Sequence, residues 1–269
     1  MDRETGRDAD FDPSATSSRD VWIGTGWKMN KTRAEALAWA DAVAGRVPAG
    51  VRAFVLPPFT CLHEVAERLA GTNVAVGAQN VHWDDAGAWT GEVSGPMLRD
   101  CGATLVEIGH SERRAHFGET DETVARRVEA ALRHGLVPLI CIGETAAERD
   151  AGRAGEVLER QTRTALRAVA GDPAEVLLAY EPVWAIGEGG TPADPDTAEA
   201  RQARAAEVAA SVAGRPVPVL YGGSVTPDNA AGFLARPAVA GLFVGRAAWD
   251  ADGFLALADI GARRGRGPT

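Results

Sequence analysis

No stretch of the 269 residues approaches the ~18 apolar side chains of a membrane-spanning helix. Positive charge is also in short supply. Against 37 Asp and Glu stand 28 Lys and Arg, for a net charge of −9. That balance argues against a nucleic-acid footprint, and any anionic substrate must be held by local groups rather than by the overall field. Cysteine is sparse: Cys61, Cys101 and Cys141 are odd in number, far apart and without a CxxC pair. Such usage predicts reduced thiols in a cytoplasmic protein. The first 20 residues, MDRETGRDADFDPSATSSRD, have no apolar core, so residues 1–20 read as a disordered extension rather than a secretory signal. Residues 263–269 read as a frayed tail. The spacing of His, Cys and carboxylates matches no metal site, and no motif calls for a nicotinamide, flavin or pyridoxal cofactor, so neither metal nor cofactor is expected.

What is present is regular. From Val21 onward, short apolar runs alternate with Ala/Glu/Arg-rich segments of helical period. The runs are VWIGTG (21–26), RAFVLPP (52–58), NVAVGAQ (73–79), ATLVEIGH (103–110), LVPLICIG (136–143), EVLLAYE (175–181), VPVLYGG (217–223) and VAGLFVG (239–245). Helices are predicted at 32–46, 120–134, 155–170, 196–212 and 246–260, among others. Unbroken apolar runs mark strands buried on both faces, and strand–helix alternation implies parallel pairing. Eight such units predict one (β/α)8 barrel over residues 21–262. A doubly wound sheet is the alternative, but it calls for a Gly-rich phosphate loop after the first strand, and GTGWKMN lacks that form.

In such a barrel the chemistry sits where the strands end. Those ends carry Lys28, Gln79-Asn80, His110, Glu144, Glu181, Gly222-Gly223-Ser224 and Gly245-Arg246. Singly, Lys28 reads as a solvated lysine, His110 as a satisfied core histidine and Cys141 as a small buried hydrophobe. Convergence on one rim changes that. Glu181 opens AYEPVWAIGEGGT (179–191), whose stiff Pro-Val-Trp entrance and glycine exit suit a lid that closes as one piece. Desolvated beneath it, a carboxylate becomes a stronger base. His110 precedes SERR, an apparent helix start whose positive end disfavours protonation, so a neutral ring is expected, oriented by Ser111 and Glu112. Lys28 supplies a cation for a developing oxyanion. The glycine turns YGGSV and VGR offer backbone N–H groups to a phosphate, with Gly187 adding one from the lid. Together these fit proton abstraction beside a carbonyl in a phosphorylated sugar.

WKMN (27–30), IGHSERR (108–114), FGE (117–119), CIGE (141–144), AYEPVWAIG (179–187), YGGSV (221–225) and LFVG (242–245) resemble the signature blocks of the triosephosphate isomerases, in order and across nearly the whole chain. The resemblance implies a TIM barrel with Lys28 as electrostatic residue, His110 as electrophile, Glu181 as base and Glu112 in support. It also implies phosphate binding by main-chain groups of Gly187, Ser224 and Gly245. The loop at 79–92, with Trp89 and Thr90 near its tip, resembles the family's intersubunit loop and implies a homodimer. Three departures stand out. Gly26 replaces an Asn beside the reacting carbons, Arg246 replaces a glycine near the phosphate, and the lid carries Glu188 and Gly190. WIGTGWKMNKT combined with GLFVGRAAW is similar to the family's L-erythrulose-1-phosphate isomerase subgroup, and the space left at Gly26 suits a substrate one carbon longer. A glycolytic triosephosphate isomerase is the alternative, and a catalytically silent sugar-phosphate-binding protein a second.

Overall fold

A computed structural model of the chain describes residues 20–187 and 190–264. Among them, eight parallel strands close into a barrel in sequence order. They are β1 (Val21–Gly26), β2 (Val51–Leu56), β3 (Val74–Ala78), β4 (Leu105–Ile108), β5 (Val137–Ile142), β6 (Leu177–Tyr180), β7 (Val219–Tyr221) and β8 (Gly241–Val244). The pairing of β1 with β8, Trp22 opposite Gly241 through Thr25 opposite Val244, completes the ring. Outside it lie α1 (Arg33–Val43), α2 (Leu62–Leu69), α3 (Gly95–Asp100), α4 (Ser111–His116), α5 (Asp121–Arg133), α6 (Ala146–Asp150), α7 (Ala154–Ala165), α8 (Pro195–Ala213), α9 (Pro227–Leu234) and α10 (Ala251–Arg264).

The expected (β/α)8 barrel is what folds. The helix starts follow local chemistry. Thr32, Thr120 and Thr145 cap α1, α5 and α6 with their side chains, and Asp194 caps α8 just before Pro195 at its first turn. The last helix begins later than the apolar pattern suggested. Residues Arg246–Ala248 form a 3-10 turn, and Asp250 Oδ1 then accepts the Gly253 N–H at 2.7 Å to start α10. That helix runs to Arg264, two residues into the segment read as a tail. The rest of that tail, residues 1–19, Glu188 and Gly189 lie outside the described residues.

Alternation along each strand separates two cores. Trp22, Phe54, Leu105, Leu139, Cys141, Leu177, Ala179, Leu220 and Phe243 fill the barrel interior. Ile23, Val106, Ile108, Ile140, Leu178 and Tyr221 pack outward under the helices. Because both faces are buried, the runs read as continuously apolar. At Gly24 the Phe54 ring occupies the side-chain space, and an added Cβ would sit 1.9 Å from its Cζ. Near the strands' N-terminal ends Arg52 lies 3.8 Å over Trp22 and pairs with both carboxylate oxygens of Glu175, at 2.5 and 2.8 Å. The same inward parity, carried toward the strands' C-terminal ends, reaches Gly26, Glu107, Glu181, Gly222 and Gly245, and so builds the mouth.

Candidate active site

A cavity of about 620 Å³ opens at the C-terminal ends of the strands. Gly26, Lys28, His110, Glu112, Glu181, Gly187, Ser224, Gly245 and Arg246, all singled out from the sequence, line it. Glu144 does not: its Oε1 accepts the Tyr180 hydroxyl at 3.1 Å and the Trp184 indole N–H at 2.9 Å, which anchors the lid's entrance. Trp89 and Thr90 lie on the surface loop, away from the cavity.

Glu181 follows β6, its backbone N–H donating to Ile142 O at 2.8 Å. The residue is only 3% exposed, and Oε2 has no hydrogen-bond partner among the described residues. Room for it comes from Gly222, where an added Cβ would meet Glu181 Cγ at 2.7 Å and Oε1 at 3.1 Å. Burial raises its pKa, against the opposing charges of His110 and Lys28, so the carboxylate is a strengthened base.

His110 caps α4: its Nδ1 accepts the Glu112 N–H at 3.1 Å, and its Nε2 lies 3.6 Å from Glu181 Oε2. A nitrogen that accepts from a backbone N–H carries no proton, so the ring presents Nε2–H to the cavity. The helix terminus is not the whole of its electrostatics. Burial lowers the ring's proton affinity, but the Glu181 and Glu107 carboxylates outweigh it and move the pKa upward. The depressed value expected from the sequence is therefore corrected: that expectation weighed the helix terminus alone and left out the charge of the two carboxylates. Against that upward shift, the Glu112 N–H on Nδ1 favours the tautomer protonated at Nε2.

Lys28 sits in the left-handed region, at φ 53°. A non-glycine residue there costs about 1–3 kcal/mol, and its neighbours hold it. Gln79 Nε2 donates to Lys28 O and to Leu56 O, both at 3.0 Å, and the ammonium reaches Glu112 at 2.6 Å. This contact keeps Glu112 ionised: burial works to raise its pKa, but the Lys28 hydrogen bond helps carry it below the usual value.

The segment after Glu181 is tied to the exits of β7 and β8. Ala185 O accepts from both Ser224 N–H (3.1 Å) and Ser224 Oγ–H (2.7 Å), and Arg246 Nη2 donates to Gly187 O at 3.4 Å. The Ser224 N–H expected to meet a phosphate is engaged here by Ala185 O. Arg246 bridges the β8 exit to the same segment.

A family model described as triosephosphate isomerase matches residues 21–261. The chain belongs to the triosephosphate isomerase family. Two relatives named L-erythrulose-1-phosphate isomerase are similar over almost their full lengths. The one from Rhizobium rhizogenes is 55% identical over 94% of this chain and 99% of its own. The one from Brucella abortus is 59% identical over 90% of this chain and 95% of its own. The crystal structure of triosephosphate isomerase from Bartonella henselae superposes with a TM-score of 0.81 at 37% identity, covering 89% of this chain and 98% of that one.

Sequence reasoning passed over one member of this triosephosphate isomerase-family site. Glu107, inside the run LVEIGH, is 6% exposed and faces the cavity. Its Oε1 accepts the Cys141 thiol at 3.6 Å, and single ligand-type atoms of Glu107, Cys141 and Glu181 lie within 4.8 Å of one another. No spacing rule joins these three. Burial, with both carboxylates nearby, pushes the Cys141 thiol well up, so it stays protonated. The available signal was an acidic residue at an inward position of a strand buried on both faces.

Proposed function

We propose that this isomerase converts L-erythrulose 1-phosphate to D-erythrulose 4-phosphate through an enediolate. Glu181 takes the proton from the carbinol carbon beside the carbonyl, while His110 Nε2–H and the Lys28 ammonium stabilise the charge that develops on the oxygens. The protonated Glu181 then delivers that proton to the former carbonyl carbon, and the carbonyl appears one position along. Main-chain groups of Gly187, Ser224 and Gly245 hold the phosphate, with Arg246 at its edge. Glu112 positions Lys28 and, through its N–H, His110.

The observation that carries the choice of substrate is identity of 55% and 59%, over at least 90% of the chain, to proteins bearing that name. The absence of a side chain at Gly26, on the cavity wall, agrees with it. Comparing kcat/KM for L-erythrulose 1-phosphate and dihydroxyacetone phosphate tests the reading, since specificity is that ratio. The tetrulose phosphate is expected to win, and a triose preference of orders of magnitude refutes the assignment. Exchange of the substrate's carbon-bound proton with heavy water is expected as well. Binding without exchange would favour the silent reading.

The working form proposed is a cytoplasmic homodimer. Trp89 is 47% exposed on a loop braced by its indole N–H to Asp84 (2.9 Å) and by a tilted ring contact with His82. Such a preformed aromatic projection suits insertion into a second copy. No described helix is long and apolar enough to cross a membrane.

A further inference from the structure

The chemistry above makes no use of Glu107, and scaffold needs do not explain it. The interior positions around it are filled by apolar groups such as Leu105, Leu139 and Leu177. A buried carboxyl whose one hydrogen bond among the described residues comes from a thiol costs stability rather than adding it. Its place is informative. The phosphate cradle occupies the exits of β6 to β8, and the reacting carbons must lie between Glu181 and His110. The carbon beyond them, which the four-carbon substrate has and a triose phosphate lacks, points away from the phosphate. Glu107 lines the same cavity, its carboxyl beside that of Glu181.

Resting on the isomerase reading above, we propose that Glu107 recognises the terminal hydroxymethyl group of the four-carbon substrate, hydrogen-bonding its hydroxyl. The carboxyl is suited to that as its protonated form, which both donates and accepts. Burial first, and then the Glu181 carboxylate within 4.8 Å, raise its pKa to about 7, against the opposing effects of His110, Lys28 and the Cys141 thiol. Those four are the titratable groups that face it, from the exits of β6, β4 and β1 and from β5. With Glu181 ionised as base, a second negative charge beside it is disfavoured, so Glu107 takes the proton below about pH 7 and adds its charge to the surroundings of His110 only above that.

The test uses Glu107→Leu and Glu107→Gln in the full-length enzyme, with kcat/KM for both substrates across pH. Glu107→Leu is expected to lower kcat/KM for L-erythrulose 1-phosphate about 10- to 100-fold more than for dihydroxyacetone phosphate, the loss of one buried hydroxyl partner. Glu107→Gln, which still donates and accepts, is expected to keep tetrulose activity within about fivefold. It should also abolish the decline expected of wild type as pH rises through about 7. A merely structural role would move both substrates together and leave the shape of the pH profile alone; either result overturns the proposal. If Glu107→Leu does not fold, the Gln profile decides by itself. A wild-type enzyme that prefers the triose sinks the substrate assignment too. A wild type that prefers the tetrulose, with an unchanged ratio in Glu107→Leu, sinks the Glu107 proposal alone.

Discussion

Gly222→Ala is the sharpest single test of how the base is held. The new Cβ would lie 2.7 Å from Glu181 Cγ and 3.1 Å from its Oε1, where ordinary contact begins at 3.4 Å. Gly222 has no positive φ, and its N–H keeps its bond to Tyr180 O at 2.8 Å, so alanine is tolerated by the backbone. The group that must yield is the Glu181 side chain, whose Cγ has to retreat by about 0.7 Å, from 2.7 to 3.4 Å. Its carboxyl already lies 3.6 Å from the His110 ring, so the retreat spoils the alignment of base and proton. A displacement near 1 Å in a reacting group costs about 10²-fold, or roughly 2.7 kcal/mol of barrier. We expect kcat to fall by about that factor with KM within about threefold, because the base and not the phosphate site is disturbed. Overpacking one methyl should cost stability only about 1 kcal/mol, visible as a small drop in Tm. Steady-state kinetics with a thermal melt on the same preparation decide it. A Gly222→Ala enzyme with kcat within about threefold of wild type would refute the idea that space at residue 222 sets the base's position.

Other outcomes follow from the same geometry. Gly26→Asn puts a Cβ 3.2 Å from Phe243 Cζ and fills the cavity wall, so kcat/KM for the tetrulose phosphate should fall more than for the triose; equal losses would show that the site does not measure substrate length there. The fold raises the Glu107 pKa above its unfolded value, to about 7, so native protein binds that proton more tightly than the unfolded chain does. Its contribution to stability is therefore full below pH ~4.5 and lost as pH rises to about 7, at most about 3 kcal/mol. Urea unfolding at pH 5 and pH 8 should show a smaller pH dependence in Glu107→Gln than in wild type, and parallel behaviour would deny the shift. Thr90→Asp at the loop tip should shift sedimentation toward monomer; an unaffected dimer would place the interface elsewhere.

Much of the molecule was legible in chain order. The strands were visible because burial on both faces makes them continuously apolar, and their exits were visible because Gly, Pro and polar residues interrupt those runs. Lys28, His110, Glu181, Ser224 and Gly245 each stand at such an exit, so barrel closure carries them to one mouth. Boundaries set by capping were less legible: the Asp250 cap moved the start of the last helix several residues past the apolar pattern.

Sequence alone determined the repeating unit, its eightfold count and the residues at each strand's end, since these depend on local periodicity and turn chemistry. Only the closed barrel decided which of those ends meet. Lys28 reaches Glu112 across 84 residues, and Cys141 reaches Glu107 across 34. Glu107 joins Glu181 in one desolvated pocket, and that proximity reverses the electrostatics expected at His110. Charge interactions scale with through-space distance and local dielectric, and both are products of strand register and ring closure rather than of spacing along the chain.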